Sequence, residues 1–209
     1  MKLDSEFKKA ISLLPSEEKD KIIFRLLKHN SNFANRLYFE LLSTESVQDK
    51  RNQMEAFIKK VIMRETEGYY SPGYLLLALR DISGRINEHV RITKDKYGEA
   101  SLNLLMLNEA LKNNSERILQ STPKKAYTLG IYIIARAFKI LVLIQSLHED
   151  YRIEFEEELK TLGMLIADNP FLMKLSIHNG LDVNWLCKAA IPDNIADIHK
   201  DIRARGYLR

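Results

Sequence analysis

Three dipeptides punctuate this chain and constrain what it can fold into: Ser71-Pro72, Thr122-Pro123 and Asn169-Pro170. Each pairs a residue suited to cap a helix N-terminus with a proline, and each opens a strongly apolar segment. A capping oxygen accepts a bond from an orphan N–H. Proline supplies a preset φ and needs no donor at the first helical position. The pairs recur roughly every 50 residues, which leaves room for two antiparallel helices in each interval. The sequence therefore reads as tandem helical hairpins.

Composition supports that reading. Among 209 residues there are only 8 Gly and 5 Pro, too few for the many turns of a strand-rich fold. No strand-like alternation and no low-complexity linker occurs. The hydrophobic share of 45% beside 29% charged residues suits a globular chain able to bury a full core. The fold expected is all-α: about nine to eleven helices in one domain over 1–209, either an irregular α-solenoid or an orthogonal helix bundle. Any subdivision is expected near residues 68–71.

Helical spacing of apolar residues places the elements. Leu3, Phe7, Ala10, Ile11 and Leu14 mark a first helix, broken at Leu14-Pro15. Ile22, Ile23, Leu26 and Leu27 mark the second, and Phe33, Leu37, Tyr38, Leu41 and Leu42 the third. Ser46 and Asp49 have the spacing of a capping box, ahead of a stripe of Met54, Phe57, Ile58, Val61 and Ile62. Glu65 to Tyr70 reads as a loop. Leu75, Leu79, Ile82, Ile86 and Val90 follow, then a helix from Asp95 with Leu104, Leu107, Leu111 and Ile118 inward. Between Leu129 and Leu147 the only charged residues are Arg136 and Lys139. Two mid-segment cations each cost about 2.5–3.5 kcal/mol on membrane-insertion scales, so this segment reads as a central packed helix and not a membrane span. An acidic helix after Asp150 carries Phe155, Leu159, Leu162 and Ile166. Pro170 and Pro192 open the last two substantial helices.

Charge and cysteine usage narrow the setting. The net charge of +4 comes from 32 basic residues interspersed with 28 acidic ones, the pattern of a solvated surface. The single cysteine, Cys187, permits no internal disulfide and no cysteine metal cage, and fits a reducing compartment. Met1 to Asp4 leads into no apolar signal region. A cytoplasmic chain is the expectation.

No phosphate loop, nucleophile elbow or His-Glu-x-x-His motif is present, and the five histidines are scattered. Four groups remain as candidates. Glu154, Glu157 and Glu158 stand at i,i+3 and i,i+4, a spacing that sets carboxylates on one helix face to hold Mg²⁺. That supplies the first half of the paired Glu-x-x-Glu and Glu-x-x-Asp pattern of helical nucleotide pyrophosphatases. Arg136 and Lys139, one turn apart on the most apolar helix, need either internal carboxylates (Glu109 or the Glu154–Glu158 cluster) or a bound anion. Tyr69 and Tyr70, with Tyr74, suit stacking on bases or anchoring a protein partner. Lys94, Lys96, Lys124 and Lys125 occupy two connections expected at one end of the bundle, where the basic tail from Arg203 to Arg209 would extend their patch.

The run from Phe7-Lys8-Lys9-Ala10-Ile11 through Leu14-Pro15-Ser16-Glu17-Glu18, Arg25-Leu26-Leu27-Lys28 and Ala34-Asn35-Arg36-Leu37-Tyr38-Phe39-Glu40-Leu41 resembles an uncharacterised family of helical bacterial proteins. Some members carry the name dUTP nucleotidohydrolase, and the resemblance implies nucleotide hydrolysis for this chain. The residues that carry it are helix formers without a chemical role.

Three functions follow as expectations. The first is a cytoplasmic protein-interaction or scaffold module, which needs no cofactor. The second is a Mg²⁺-dependent nucleotide (pyro)phosphohydrolase using the glutamates and Arg136 or Lys139. The third is a nucleic-acid-binding helical protein.

Overall fold

The computed structural model describes residues 4–209, so the expectation for Leu3 lies outside the described residues. It is 81% helical, with twelve α-helices, ten of them of seven or more residues, and no strand among the described residues. The all-α class is shown, and the arrangement is that of a helical bundle.

The chain divides into two compact units. The boundary falls between Thr44 and Glu45 and not at residues 68–71, which lie inside the larger unit. The reason is packing: the helices on both sides of the 68–71 connection bury their stripes in one core.

The N-terminal unit contains α1 (Ser5–Leu13), α2 (Ser16–His29) and α3 (Ser31–Leu42), together with Arg91–Thr93. Its helices start where the sequence indicates. Asn30 accepts a bond from the Phe33 amide at 3.0 Å and so caps α3. None of the three helices holds a buried residue. Phe24, Leu26, Tyr38, Leu41 and Leu42 are all exposed. Leu14, Ile22, Leu27 and Leu37 are half-buried.

The larger unit contains α4 (Val47–Glu67), most of α5 (Pro72–Thr93), α6 (Lys96–Gln120), α7 (Pro123–Gln145), α8 (Glu149–Ile153), α9 (Glu156–Ala167), α10 (Pro170–His178), α11 (Asn184–Cys187) and α12 (Ile195–Ala204). The capping box at α4 forms in full: the Asp49 amide bonds the Ser46 hydroxyl at 3.1 Å, and the Ser46 amide bonds the Asp49 carboxylate at 2.8 Å. α4 continues to Glu67, so the connection to α5 is shorter than the Glu65–Tyr70 loop read from sequence. Of the three proline-led starts, only Asn169 caps with its side chain, accepting from Leu172 at 3.1 Å. At Ser71 and Thr122 the side chain makes no capping bond, and proline alone marks the start.

α6 and α7 form the centre. α6 packs against α4, α7 and α9, while α7 also meets α10 and α12. α7 is long and apolar enough to cross a membrane by length and composition, with a mean hydropathy of 1.8. Here its apolar residues are surrounded by protein: eleven are buried, among them Phe138, Ile134 and Leu141. Burial on several sides is what an almost uniformly apolar helix requires in a packed bundle.

α9 and α11 approach closely at Gly163. A Cβ built there would stand 2.6 Å from the Cys187 amide nitrogen and 2.7 Å from its sulfur. The nearest obstacle is backbone, so it cannot swing aside. Gly163→Ala is therefore expected to destabilise the protein by about 1–3 kcal/mol through overpacking, with each kcal/mol lowering Tm by about 2–4 °C in a thermal melt. A melt matching the wild type would refute the close packing of α11 on α9. A second expectation concerns the N-terminal unit. Short helices without a buried core open at little cost. Amide hydrogen exchange should therefore be fastest over residues 5–42 and slowest in α6 and α7.

Candidate binding cleft

One face of the larger unit opens into a cleft of about 970 Å³. Three polar stripes line it, each at helical spacing: Gln48, Arg51, Glu55 and Lys59 on α4; Tyr97, Ser101, Leu104, Asn108 and Lys112 on α6; and His148, Tyr151, Phe155 and Glu158 on the α8–α9 segment. Each stripe runs beside the apolar stripe that binds its helix to the core.

The cleft is anchored by Asp95, the N-cap of α6. Its Oδ1 accepts from the Gly98 amide at 2.8 Å, and its two oxygens take Nη2 and Nε of Arg51, each at 2.8 Å. His89 Nε2 from α5 lies 3.4 Å from Oδ2. Both members of the ion pair are largely buried, and the geometry is the two-bond fork that a guanidinium makes best. Burial alone would push the Asp95 carboxyl up. The bonds from His89, Arg51 and the Gly98 amide outweigh it and hold the group well below the usual carboxylate range. Gly98 leaves space for this carboxylate, because a Cβ there would meet Asp95 Oδ2 at 2.0 Å. Lys94 adopts a left-handed conformation, φ 60°, just before the cap.

Arg51 also lies over the Tyr97 ring, 4.6 Å from its centroid. Tyr97 packs against Phe155 at 4.9 Å and Tyr151 at 5.8 Å, and its hydroxyl donates to Glu154 Oε2 at 2.9 Å. Burial, then the bond to Glu154 and its charge, push the Tyr97 phenol up to about 12 against the opposing guanidinium, so it remains a donor at neutral pH. The third wall is fixed by Arg152, whose guanidinium donates to the carbonyls of Leu147 at 3.0 Å and Gln145 at 2.7 Å. Asn108 joins α6 to this wall by donating to the Glu158 carbonyl at 3.0 Å. Asn108 is only 4% exposed, and its Oδ1 has no hydrogen-bond partner among the described residues.

Of the candidates from sequence, Glu154, Glu158 and Lys96 line the cleft and the others fall outside it. Lys139 pairs with Glu99 at 2.8 Å, and Arg136 donates to Asn103 Oδ1 at 3.1 Å and the Tyr132 hydroxyl at 3.0 Å. Neither reaches Glu109, Glu154 or Glu158 as anticipated, because both belong to the α6–α7 contact and neither lines the cleft. The single acidic helix expected after Asp150 is two helices. At the break the Phe155 amide bonds the Arg152 carbonyl three residues back, tightening the turn, and Glu154 lies outside the helical ladder that carries Glu157 and Glu158. Glu157 projects into solvent beside Lys160. Among the described residues no three His, Cys, Asp or Glu side chains gather as a metal-ligand set.

Tyr69 and Tyr70 part company. Tyr69 is half-buried, with Arg117 over its ring at 5.1 Å, and burial pushes its phenol up against opposing effects of Ser121 and Arg117. Tyr70 is 80% exposed and meets Tyr74 edge-on at 5.2 Å. The lysine pairs do not share an end. α6 and α7 run antiparallel, as the pairings of Asn103 with Arg136 and Glu99 with Lys139 show. Lys94 and Lys96 therefore lie about 37 Å along α6 from the turn that leads to Lys124 and Lys125. Burial pushes the Cys187 thiol up, the opposite of what a thiolate nucleophile needs.

Sequence reasoning missed Arg51, Asp95, Tyr97 and Asn108 as a group. Asp95 carried a local signal, an acidic residue three positions before Gly98 at a helix start. Its partner Arg51 lies 44 residues away, and nothing in the local pattern joins them.

Compared with known proteins, the chain matches no protein-family model, no curated protein and no solved structure.

The buried pair yields a test with a defined sign. Because the Asp95 carboxyl is depressed in the folded state, its stabilisation is complete above the ordinary aspartate value of about 3.9 and is lost as pH falls towards the folded-state value. Asp95→Asn strands a buried guanidinium and is expected to cost about 3 kcal/mol at neutral pH. The gap in stability between wild type and variant should narrow below about pH 4. A gap that stays constant down to about pH 3 would refute the depressed carboxyl.

Proposed function

We propose that this chain is a cytoplasmic helical protein-interaction module that receives a short segment of a partner protein in the cleft between α4, α6 and the α8–α9 segment. The observation that carries the reading is the cleft itself, walled by three helical segments and lined by Tyr151, which is 50% exposed and packs against Tyr97. The volume of the cleft falls in the range of built binding sites, about 300–1,000 Å³. Its aromatic side chains, Tyr97, Tyr151 and Phe155, are the kind that anchor interfaces.

The serine hydroxyls of the cleft and Asp95 are engaged in internal hydrogen bonds. The Ser101 hydroxyl donates to the Gly98 carbonyl and the Ser146 hydroxyl to the Leu143 carbonyl, so neither faces a base. Asp95 is consumed by its partners. A nucleophile with a base in reach is the minimum for covalent catalysis, and these residues do not form one.

The test is selection from a displayed library of random 12-residue peptides on the immobilised full chain. Enriched peptides should compete with one another. They should lose at least tenfold in affinity on Tyr151→Ala, in the cleft, and keep it on Tyr70→Ala, outside it. Binders that depend on Tyr70 and ignore Tyr151, or no enrichment at all, would overturn the reading.

A further inference from the structure

The N-terminal unit has no core of its own to hold it together. α1, α2 and α3 contain no buried residue. Seven large side chains of α2 and α3, among them Ile23, Phe24, Leu26, Leu41 and Leu42, are between 43% and 71% exposed. Units well below about 70–80 residues rarely hold on their own core and add disulfides, a metal or a second subunit. The one cysteine of the chain, Cys187, lies outside this unit, and among the described residues no side chains gather as a metal-ligand set. A second subunit is the staple that remains.

α2 is self-complementary about its midpoint. Glu17 and Glu18 lie in its first turn, Lys28 and His29 in its last, and the exposed Ile23, Phe24 and Leu26 lie between. Glu17 and Lys28 are eleven residues apart, about three turns, so they share one flank of the helix. Glu18 and His29 share the other flank in the same way. All four are exposed, and none makes an ion pair among the described residues. A second copy of α2, related by a two-fold axis near Ile23, sets the acidic start of each copy against the basic end of the other. Glu17 then meets Lys28 twice, and the two helix dipoles oppose. Seven side chains of roughly 150–250 Å², each about half exposed, offer on the order of 800 Å² per copy, the share one partner gives a standard interface. A lipid surface suits this unit less well. An interfacial helix carries a polar face rich in Lys and Arg, whereas residues 4–44 hold six acidic beside seven basic side chains.

We propose that the apolar surface of α2 and α3 is an interface with a second copy of this chain, in which the two α2 helices pack antiparallel about a two-fold axis near Ile23. The inference does not depend on the reading of the cleft. Apolar burial supplies the affinity. The Glu17–Lys28 contacts set the orientation, since exposed ion pairs are individually weak and are screened by salt.

Sedimentation velocity of the full chain at low salt, over a dilution series, tests this. The chain should sediment as a dimer at about 100 μM and dissociate on dilution. Leu26→Asp should weaken self-association at least tenfold, and Ile177→Asp, an exposed residue of the larger unit, should leave it unchanged. Glu17→Lys and Lys28→Glu, each alone, should weaken it about tenfold, because each sets like charges together twice. Mixed in equal amounts, these two variants should pair with each other as tightly as the wild type pairs with itself, since every such contact is then between opposite charges. That rescue separates a lost interface from a damaged fold. Amide exchange over residues 16–42 should slow as concentration rises, while exchange in α6 does not change. A chain that stays monomeric at about 100 μM, a dimer indifferent to Leu26→Asp or to the charge reversals, or reversals that mixing does not rescue, overturns the proposal. So does a monomer that co-sediments with vesicles of phosphatidylcholine and phosphatidylserine and loses them on Leu26→Asp, which would make the surface a membrane contact.

Discussion

The buried fork between Arg51 and Asp95 is the interaction on which the arrangement of the cleft depends. One carboxylate caps α6 through the Gly98 amide, fixes α4 through Arg51 and meets His89 of α5. Three helices therefore share a single charge. Taking two charged groups out of water is expensive, and here both carboxylate oxygens accept two bonds each while Nε, Nη1 and Nη2 of Arg51 each find an acceptor. The guanidinium then covers one face of Tyr97, so the phenol that bonds Glu154 is itself positioned by the fork.

The rest of the larger unit gives that fork a rigid frame. α6 and α7 hold most of the deepest side chains, and α6 carries an unusual polar set within them. Asn103, Asn108 and Asn114 are each 4% exposed or less. Asn103 accepts from Arg136, Asn114 donates to Thr66, and Asn108 donates to the α9 backbone. Each ties α6 to a different neighbour, α7, α4 and α9 in turn. Directional bonds of this kind specify register more sharply than apolar contact, which many relative positions satisfy.

Much of the fold was legible in the residues. The prolines at 72, 123 and 170 open helices as expected, the Ser46–Asp49 capping box forms, and the stripes from Leu75 to Ile86 and from Leu104 to Ile118 are buried. The same rule misleads in the N-terminal unit. Phe7, Ile11, Ile23, Leu26, Phe33 and Leu41 have helical spacing yet are exposed. Periodicity states which face of a helix is apolar. It does not state that something covers that face.

The candidate site was much less legible. Glu154, Glu157 and Glu158 drew notice because they are adjacent in the chain, and Arg136 and Lys139 because they interrupt an apolar run. Glu154 and Glu158 do line the cleft, but Arg51, Tyr97 and Asn108, which build it with Asp95, looked like ordinary solvated positions. The sequence by itself determined an all-α chain, the starts of its main helices and the faces that seek burial, since these follow from φ preferences, capping and a 3.6-residue period acting over a turn or two. Only the tertiary structure decided that Arg51 meets Asp95, that Tyr97 meets Glu154 and that Asn108 keeps an oxygen unpaired. Those pairings span 44 and 57 residues, and they arise from how whole helices pack rather than from any local pattern.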